Sequence, residues 1–198
     1  MQYPGPKPFS FSARNAGEVP KVQSYLMTIF SGTESMISEY EIAANAYNEV
    51  FKNINRREEF QMADDGVHSL LPFKKASRGS ITNTFQHVLN KLLNNKNQYG
   101  KNITIMFIID RQEEFDVSKL MELIQKVKKE FRIQFLCIAI GYTFPTQICN
   151  KLWSELHNID EQQFQIPCLI KRPSDCKTLE LLFIKGFQEI RDRYLSFQ

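Results

Sequence analysis

The hexapeptide "SGTESM", residues 31–36, carries hydroxyls at Ser31, Thr33 and Ser35 directly after the apolar run "SYLMTIF". Oxygen donors spaced in this way at the mouth of a buried strand suit a hard cation such as magnesium. Such an ion takes near-octahedral oxygen ligands and usually one or two carboxylates. The first position of the hexapeptide, however, is a serine. The same side chains also hydrogen-bond turns and helix starts without any metal. The loop therefore reads either as a metal-binding loop that has lost a carboxylate or as a polar turn between a strand and a helix.

Other chemistries lack their residues. There is no G-x-x-x-x-G-K-[ST] or G-x-G-x-x-G loop to cradle phosphate, and no G-x-S-x-G elbow. His68, His87 and His157 have no placed nucleophile, and the pair Asp64–Asp65 fits a turn better than acid–base work. Cys137, Cys149, Cys168 and Cys176 form no C-x-x-C pair. With three scattered histidines they make no zinc box and read as reduced core or near-core thiols. Asn102-Ile103-Thr104 matches the glycosylation acceptor pattern but reads as the start of a strand.

The elements that must position the hydroxyl loop follow from periodicity. Residues 1–20, rich in Pro, Ser and Gly, read as an extended N-terminal arm. Residues 21–198 read as one α/β domain. A buried strand is expected from Val22 to Phe30. An amphipathic helix should follow, capped by Ser35, with Ile37, Tyr40, Ala44, Tyr47, Val50, Phe51 and Ile54 inward. "EEFQMA" and "VHSLLPF", separated by the Asp65-Gly66 turn signal, suggest a short hairpin or edge strands. A second helix carries Phe85, Val88, Leu89 and Leu92. "ITIMFIID" and "IQFLCIAIG" are almost wholly apolar runs, as strands covered on both faces require. Between them, "DVSKLMELIQKVKKEF" gives a helix capped by Asp116 or Ser118, with Leu120, Leu123, Ile124 and Val127 inward. "PTQICNKLWSEL" reads as a helix, "FQIPCLI" as an edge strand because of Pro167, and "DCKTLELLFIKGFQEIRDRYL" as a final helix. This alternation predicts a doubly wound, mostly parallel sheet flanked by helices on both faces, with right-handed crossovers. Ligands of such sheets bind beyond the carboxyl ends of strands at a topological switch point. Residues just after Phe30, Asp110 and Gly141 are therefore the ones to watch.

Composition narrows the class. At 198 residues and 42% hydrophobic, with sixteen Phe, the chain can build one well-packed domain. A net charge of only +3 does not argue for nucleic acid or an acidic membrane surface. No apolar stretch is long enough for a membrane span, and the first residues lack the apolar stretch of a signal peptide, so an intracellular, cytoplasmic protein is expected. "KVKKEF" and "FKKASR" read as solvated surface able to touch an acidic partner.

In the order of its units, residues 22 to 195 resemble a von Willebrand factor type A domain. Such a domain opens with a buried strand, a D-x-S-x-S loop and a helix. A second loop supplies a threonine in a G-T-N-T-like context, and a third supplies an aspartate after an apolar strand. "SGTESM" lies where D-x-S-x-S-M would fall, "GSITNTFQHVL" is similar to the threonine loop, and "ITIMFIID" is similar to the fourth strand. The resemblance implies a metal-ion-dependent adhesion site in which Thr33, Ser35, Thr82 (with Thr84 as the alternative) and Asp110 hold magnesium and a partner's acidic residue completes the coordination. Two departures make that site degenerate: Ser31 replaces the first aspartate, and Arg111 stands where a glycine often follows the last one. A third lies between Arg56 and Phe73, where charged "NRREEF" occupies the place of a hydrophobic strand, so that strand is expected to be short, shifted or missing.

Asp110 supplies one carboxylate and Ser31 cannot supply another, while Arg111 adds repulsion if it points inward. Glu34 or Asp116 could substitute, but nothing in the spacing requires it. No cofactor is expected, beyond weak magnesium at most. The resemblance implies a non-catalytic protein-interaction module, one subunit of a larger multiprotein complex, with other protein subunits as partners. The aromatic-rich arm and tail ("PFSFSA", "RYLSF") are either anchors for a partner or ordinary packing onto the domain. A working magnesium site that captures an acidic ligand is the alternative reading. A metal-dependent hydrolase or nuclease on a similar sheet is a further one, and it needs several carboxylates converging at the strand ends.

Overall fold

The computed structural model describes residues 24–30, 32, 36–63, 66–68, 81–109, 117–140, 168–170 and 176–197. In chain order its elements are β1 (Tyr25–Phe30), α1 (Tyr40–Phe51), β2 (Arg57–Ala63), β3 (Gly66–His68), α2 (Ile81–Asn94), α3 (Lys96–Tyr99), β4 (Asn102–Ile109), α4 (Val117–Glu130), β5 (Arg132–Ile140), β6 (Cys168–Ile170) and α5 (Cys176–Ser196). The strands form one six-stranded sheet in the order β3-β2-β1-β4-β5-β6. All neighbours are parallel except β2 and β3, which pair antiparallel. This is the doubly wound, mostly parallel α/β sheet that the alternating pattern predicts.

The apolar runs are sorted by strand alternation, because successive side chains point to opposite faces. Met27 and Ile29 of β1, Ile105 and Phe107 of β4, and Phe135 and Cys137 of β5 join Phe85, Val88, Leu89 and Leu92 of α2 and Leu120, Ile124 and Val127 of α4. Leu26 and Phe30, Met106 and Ile108, and Leu136 and Ile138 face the other way, against α1 and α5. On α5 the buried residues Leu179, Phe183, Phe187, Ile190 and Tyr194 recur at three- and four-residue intervals, which lays them along one stripe. Tyr47, Phe51, Phe183 and Phe187 join α1 to α5 through ring contacts of 4.8 to 6.1 Å between centroids.

The α1 side also buries polar groups, each with a partner. Thr28 Oγ1 and the Tyr47 hydroxyl lie 3.0 Å apart. At the sheet's amino edge Ser24 Oγ is 3.1 Å from Thr104 Oγ1, which donates to Gln134 Oε1 at 3.2 Å. Tyr194, near the end of α5, donates its hydroxyl hydrogen bond to the Ser24 carbonyl. Thr104 is thus a buried strand residue, in keeping with the reading of Asn102-Ile103-Thr104 as a strand start. The "RYLSF" tail likewise packs onto its own domain: Tyr194 is buried, and the Arg132 guanidinium sits 4.6 Å from the centroid of the Phe197 ring.

Three expectations change. The second strand is neither short nor missing: β2 has seven residues and pairs in register with β1, Leu26 opposite Arg57 through Phe30 opposite Gln61. Its charges are tolerated because each has a partner. Arg57 Nε meets Glu59 Oε1 at 2.9 Å, and Lys91 Nζ meets Glu58 Oε2 at 2.8 Å. β3 completes the hairpin, with Ala63 opposite Gly66 and only Asp64 and Asp65 between them, outside the described residues. The first helix begins later than its pattern implies. A turn covers Met36–Glu39, α1 starts at Tyr40 with Glu39 at its N-cap position, and Ile37 is 53% exposed rather than inward. Cys137 is buried as expected, but Cys176 is exposed. The arm of residues 1–20, the "PTQICNKLWSEL" helix and Pro167 lie outside the described residues.

Candidate functional site

β1 lies at the centre of the winding. From its carboxyl end the chain leaves through α1 on one face to reach β2. It returns through α2, on the opposite face, to β4 on the other flank of β1. Connections therefore diverge to opposite faces above β1 and β4, which makes their carboxyl ends the switch point where doubly wound sheets receive ligands. Phe30 pairs with Ile108 across this gap and with Gln61 on the other side.

The hydroxyl loop issues from this point. Ser31 follows the last residue of β1, and Asp110 follows the last residue of β4. Phe30 and Met36 are both fully buried against α1 and α5, so the five residues between them run from one core anchor to another. Ser31, Thr33, Ser35, Asp110 and Arg111 themselves lie outside the described residues, as do Glu34 and Asp116. Of the sequence-predicted site, Thr82 is described. It is the second residue of α2, in the first turn, and is 6% exposed; Thr84, the alternative, is 4% exposed.

Two polar groups near this edge escaped the sequence reading. Gln61 is fully buried on β2 beside Phe30. Glu39 is 8% exposed at the amino end of α1 and accepts a 2.6 Å hydrogen bond from Ser38 Oγ. A carboxylate there is favoured by the positive end of the helix dipole. Glu39 occupies a flanking position in the helical pattern, which gave no signal of burial. Among the described residues no group of three or more His, Cys, Asp or Glu comes together as a metal cluster.

The opposite, amino edge holds the paired charges. Glu58 gathers Lys91 and the Tyr99 hydroxyl, while Arg56 donates to the Tyr99 carbonyl at 2.9 Å and stands over the Tyr25 ring. Burial, reinforced by the Glu58 carboxylate, raises both phenols; Tyr99 is pushed up to about 12. Tyr40, Tyr47 and Tyr194 are raised by burial as well. A folded-state value above the ordinary tyrosine value of about 10 means that folding favours the protonated phenol. That stability is present in full below about pH 10 and is lost as pH climbs toward 12. The melting temperature is expected to fall across this window, and tyrosinate absorbance from these five side chains should grow only as circular dichroism reports unfolding. Complete ionisation near pH 10 in a folded chain would contradict it.

No family model matches the chain, and no curated protein matches it. Solved structures do. Proximal thread matrix protein 1 from the mussel byssus is 14% identical with a TM-score of 0.54, over 85% of this chain and 48% of that one. The ArnB paralog VWA2 from Sulfolobus acidocaldarius is 11% identical with a TM-score of 0.53, over 82% and 44%. A further structure of the mussel protein, described as having a zinc occupied MIDAS motif, is 16% identical with a TM-score of 0.51, over 84% and 48%. This chain therefore spans about half the length of the proteins it is similar to. Together with the strand order and the switch point, they define the fold as that of a von Willebrand factor type A domain.

Proposed function

We propose that this chain is a non-enzymatic protein-interaction module, one subunit of a larger intracellular assembly, and that its hydroxyl loop serves as a turn between β1 and α1 rather than as a strong metal seat. The observation that carries this reading is the identity of the residue at the carboxyl end of β1. The strand hands over to Ser31, a neutral hydroxyl, beside the strand that hands over to Asp110. One carboxylate leaves half of a dication's charge uncompensated, where such ions usually take one or two carboxylates. Binding would then rest on buried surface, which needs no metal. Among the described residues no helix is long and apolar enough to cross a membrane.

The placement of Thr82 in the first turn of α2 favours a second reading, in which Thr33, Ser35, Thr82 and Asp110 hold magnesium that captures an acidic side chain of a partner. Two measurements separate these readings. Affinity purification from native cells with mass spectrometry should return a large, stoichiometric complex; a solitary protein would count against the first reading. Magnesium titration followed by amide NMR shifts should show no saturable change at millimolar metal; saturation would favour the second.

A further inference from the structure

The amino edge of the sheet carries cations that the core does not use. A cleft of about 280 Å³ opens there between α3 and the end of α4, lined by Lys96, Asn97, Gly100, Lys101, Glu130 and Phe131. Its acidic side chain is already engaged, with Lys96 Nζ 2.6 Å from Glu130 Oε1. Lys101 donates to the Glu130 carbonyl at 3.1 Å, capping the last turn of α4; its charge helps hold the Glu130 carboxyl below the usual range, but among the described residues the carboxylate in direct contact is taken by Lys96. Arg132 is bound to this position through its backbone, donating its N–H to the Lys101 carbonyl at 2.8 Å.

Arg132 and Lys101 leave the sheet on opposite sides. Arg132 pairs with Asn102, so side-chain alternation sends Arg132 toward α5 and Lys101 toward α4. Each contact agrees: Lys101 reaches the end of α4, and Arg132 lies on the Phe197 ring beyond α5. Both residues are exposed, and Arg132 also makes no ion pair among the described residues. Contact with the Phe197 ring restricts the guanidinium, so ordering its forked N–H groups on a carboxylate costs less entropy. Lys129, exposed in the last turn of α4, adds to the positive field.

We propose that this edge docks an acidic segment of a partner polypeptide. The segment crosses the starts of β4 and β5, sets one carboxylate on Arg132 and another on Lys101, and lays an apolar side chain over Phe131 in the cleft. Glu130 within the cleft opposes a continuous phosphate backbone but leaves room for carboxylates spaced along a peptide, so a polypeptide fits better than a nucleic acid. The proposal concerns the edge opposite the switch point and does not depend on what the hydroxyl loop holds.

The test is fluorescence anisotropy with a labelled glutamate-rich peptide at about 150 mM salt, where the Debye length of about 8 Å suppresses distant charge effects. Saturable binding is expected, weakened at least about tenfold by Lys101→Glu with Arg132→Glu. The exposed control pair Lys177→Glu with Lys185→Glu makes the same change in net charge and should shift binding less than about twofold. If the first pair unfolds the chain by circular dichroism, the neutral variants Lys101→Gln and Arg132→Gln carry the test, each expected to weaken binding about threefold. Absent saturation, equal loss in both pairs, no loss in the neutral variants, or tighter binding of a single-stranded oligonucleotide that the same substitutions abolish would each overturn the proposal.

Discussion

Phe187→Ala is expected to remove about 3–5 kcal/mol of folding stability, through lost transfer energy and the cavity left behind. The ring is fully buried in α5 and touches Tyr47, Phe51 and Phe183. These contacts fasten α5 to α1 over the face of the sheet formed by Leu26, Phe30, Met106 and Ile108. No neighbour can slide into the space easily, because Tyr47 is itself held by Thr28 through its hydroxyl. Domains are stable by only about 5–15 kcal/mol, so this single change consumes a large part of the margin. Urea unfolding should show a lowered midpoint with an unchanged slope. Leu181→Ala on the same helix, at a residue 67% exposed, should move stability by no more than about 0.5 kcal/mol. Similar losses for the two variants would mean that α5 is not packed as described.

Ser31→Asp should bind magnesium more tightly than the natural chain does. It sets a second carboxylate at the end of β1, next to the strand that leads to Asp110. Two acidic ligands together with the hydroxyls of Thr33, Ser35 and Thr82 make the donor set a hard dication prefers. Without metal the variant should be less stable than the natural chain, because two carboxylates at one mouth repel. With magnesium at about 100 times its dissociation constant it should gain about 2.7 kcal/mol. Ser31→Asn, which exchanges the hydroxyl for an amide oxygen and adds no charge, should gain far less. Thermal melts with and without magnesium measure this, and an equal magnesium response in the natural chain and in Ser31→Asp would show that Ser31 is not what limits the site.

Local patterns reveal those parts of the molecule whose neighbours are close in sequence or whose burial is complete. The runs of β4 and β5 are almost wholly apolar because both faces are covered. The stripe Phe85, Val88, Leu89, Leu92 of α2 shows at once because only one side of that helix is buried. β2 showed only in part: "EEFQMA" reads as a hairpin strand, which the pairing with β3 bears out, but its charges concealed its place beside β1. The residues that make "REEF" acceptable in a sheet are Lys91, Tyr99 and Tyr47, which stand far from it in sequence. Ser35 looked like a cap because it precedes an apolar period, yet the turn at Met36–Glu39 delays the helix and leaves Ile37 in solvent. In the candidate site, periodicity located both strand ends, while the threonine of α2 came from the resemblance and not from the pattern. It gave no sign of Glu39, whose burial depends on tertiary packing at the amino end of α1.

The hydrogen bond from Tyr194 to the Ser24 carbonyl joins positions 170 residues apart. A chain emerging from the ribosome makes β1 early, but the side chains that roof its Leu26 and Phe30 face include those of the last helix. Until that helix is synthesised, the part of this face that α1 does not cover is greasy surface open to water and to neighbouring nascent chains, a condition that invites chaperone capture. Loop closure over such a span is slow and comes late. Premature termination anywhere before α5 would accordingly yield an aggregation-prone fragment instead of a smaller working domain.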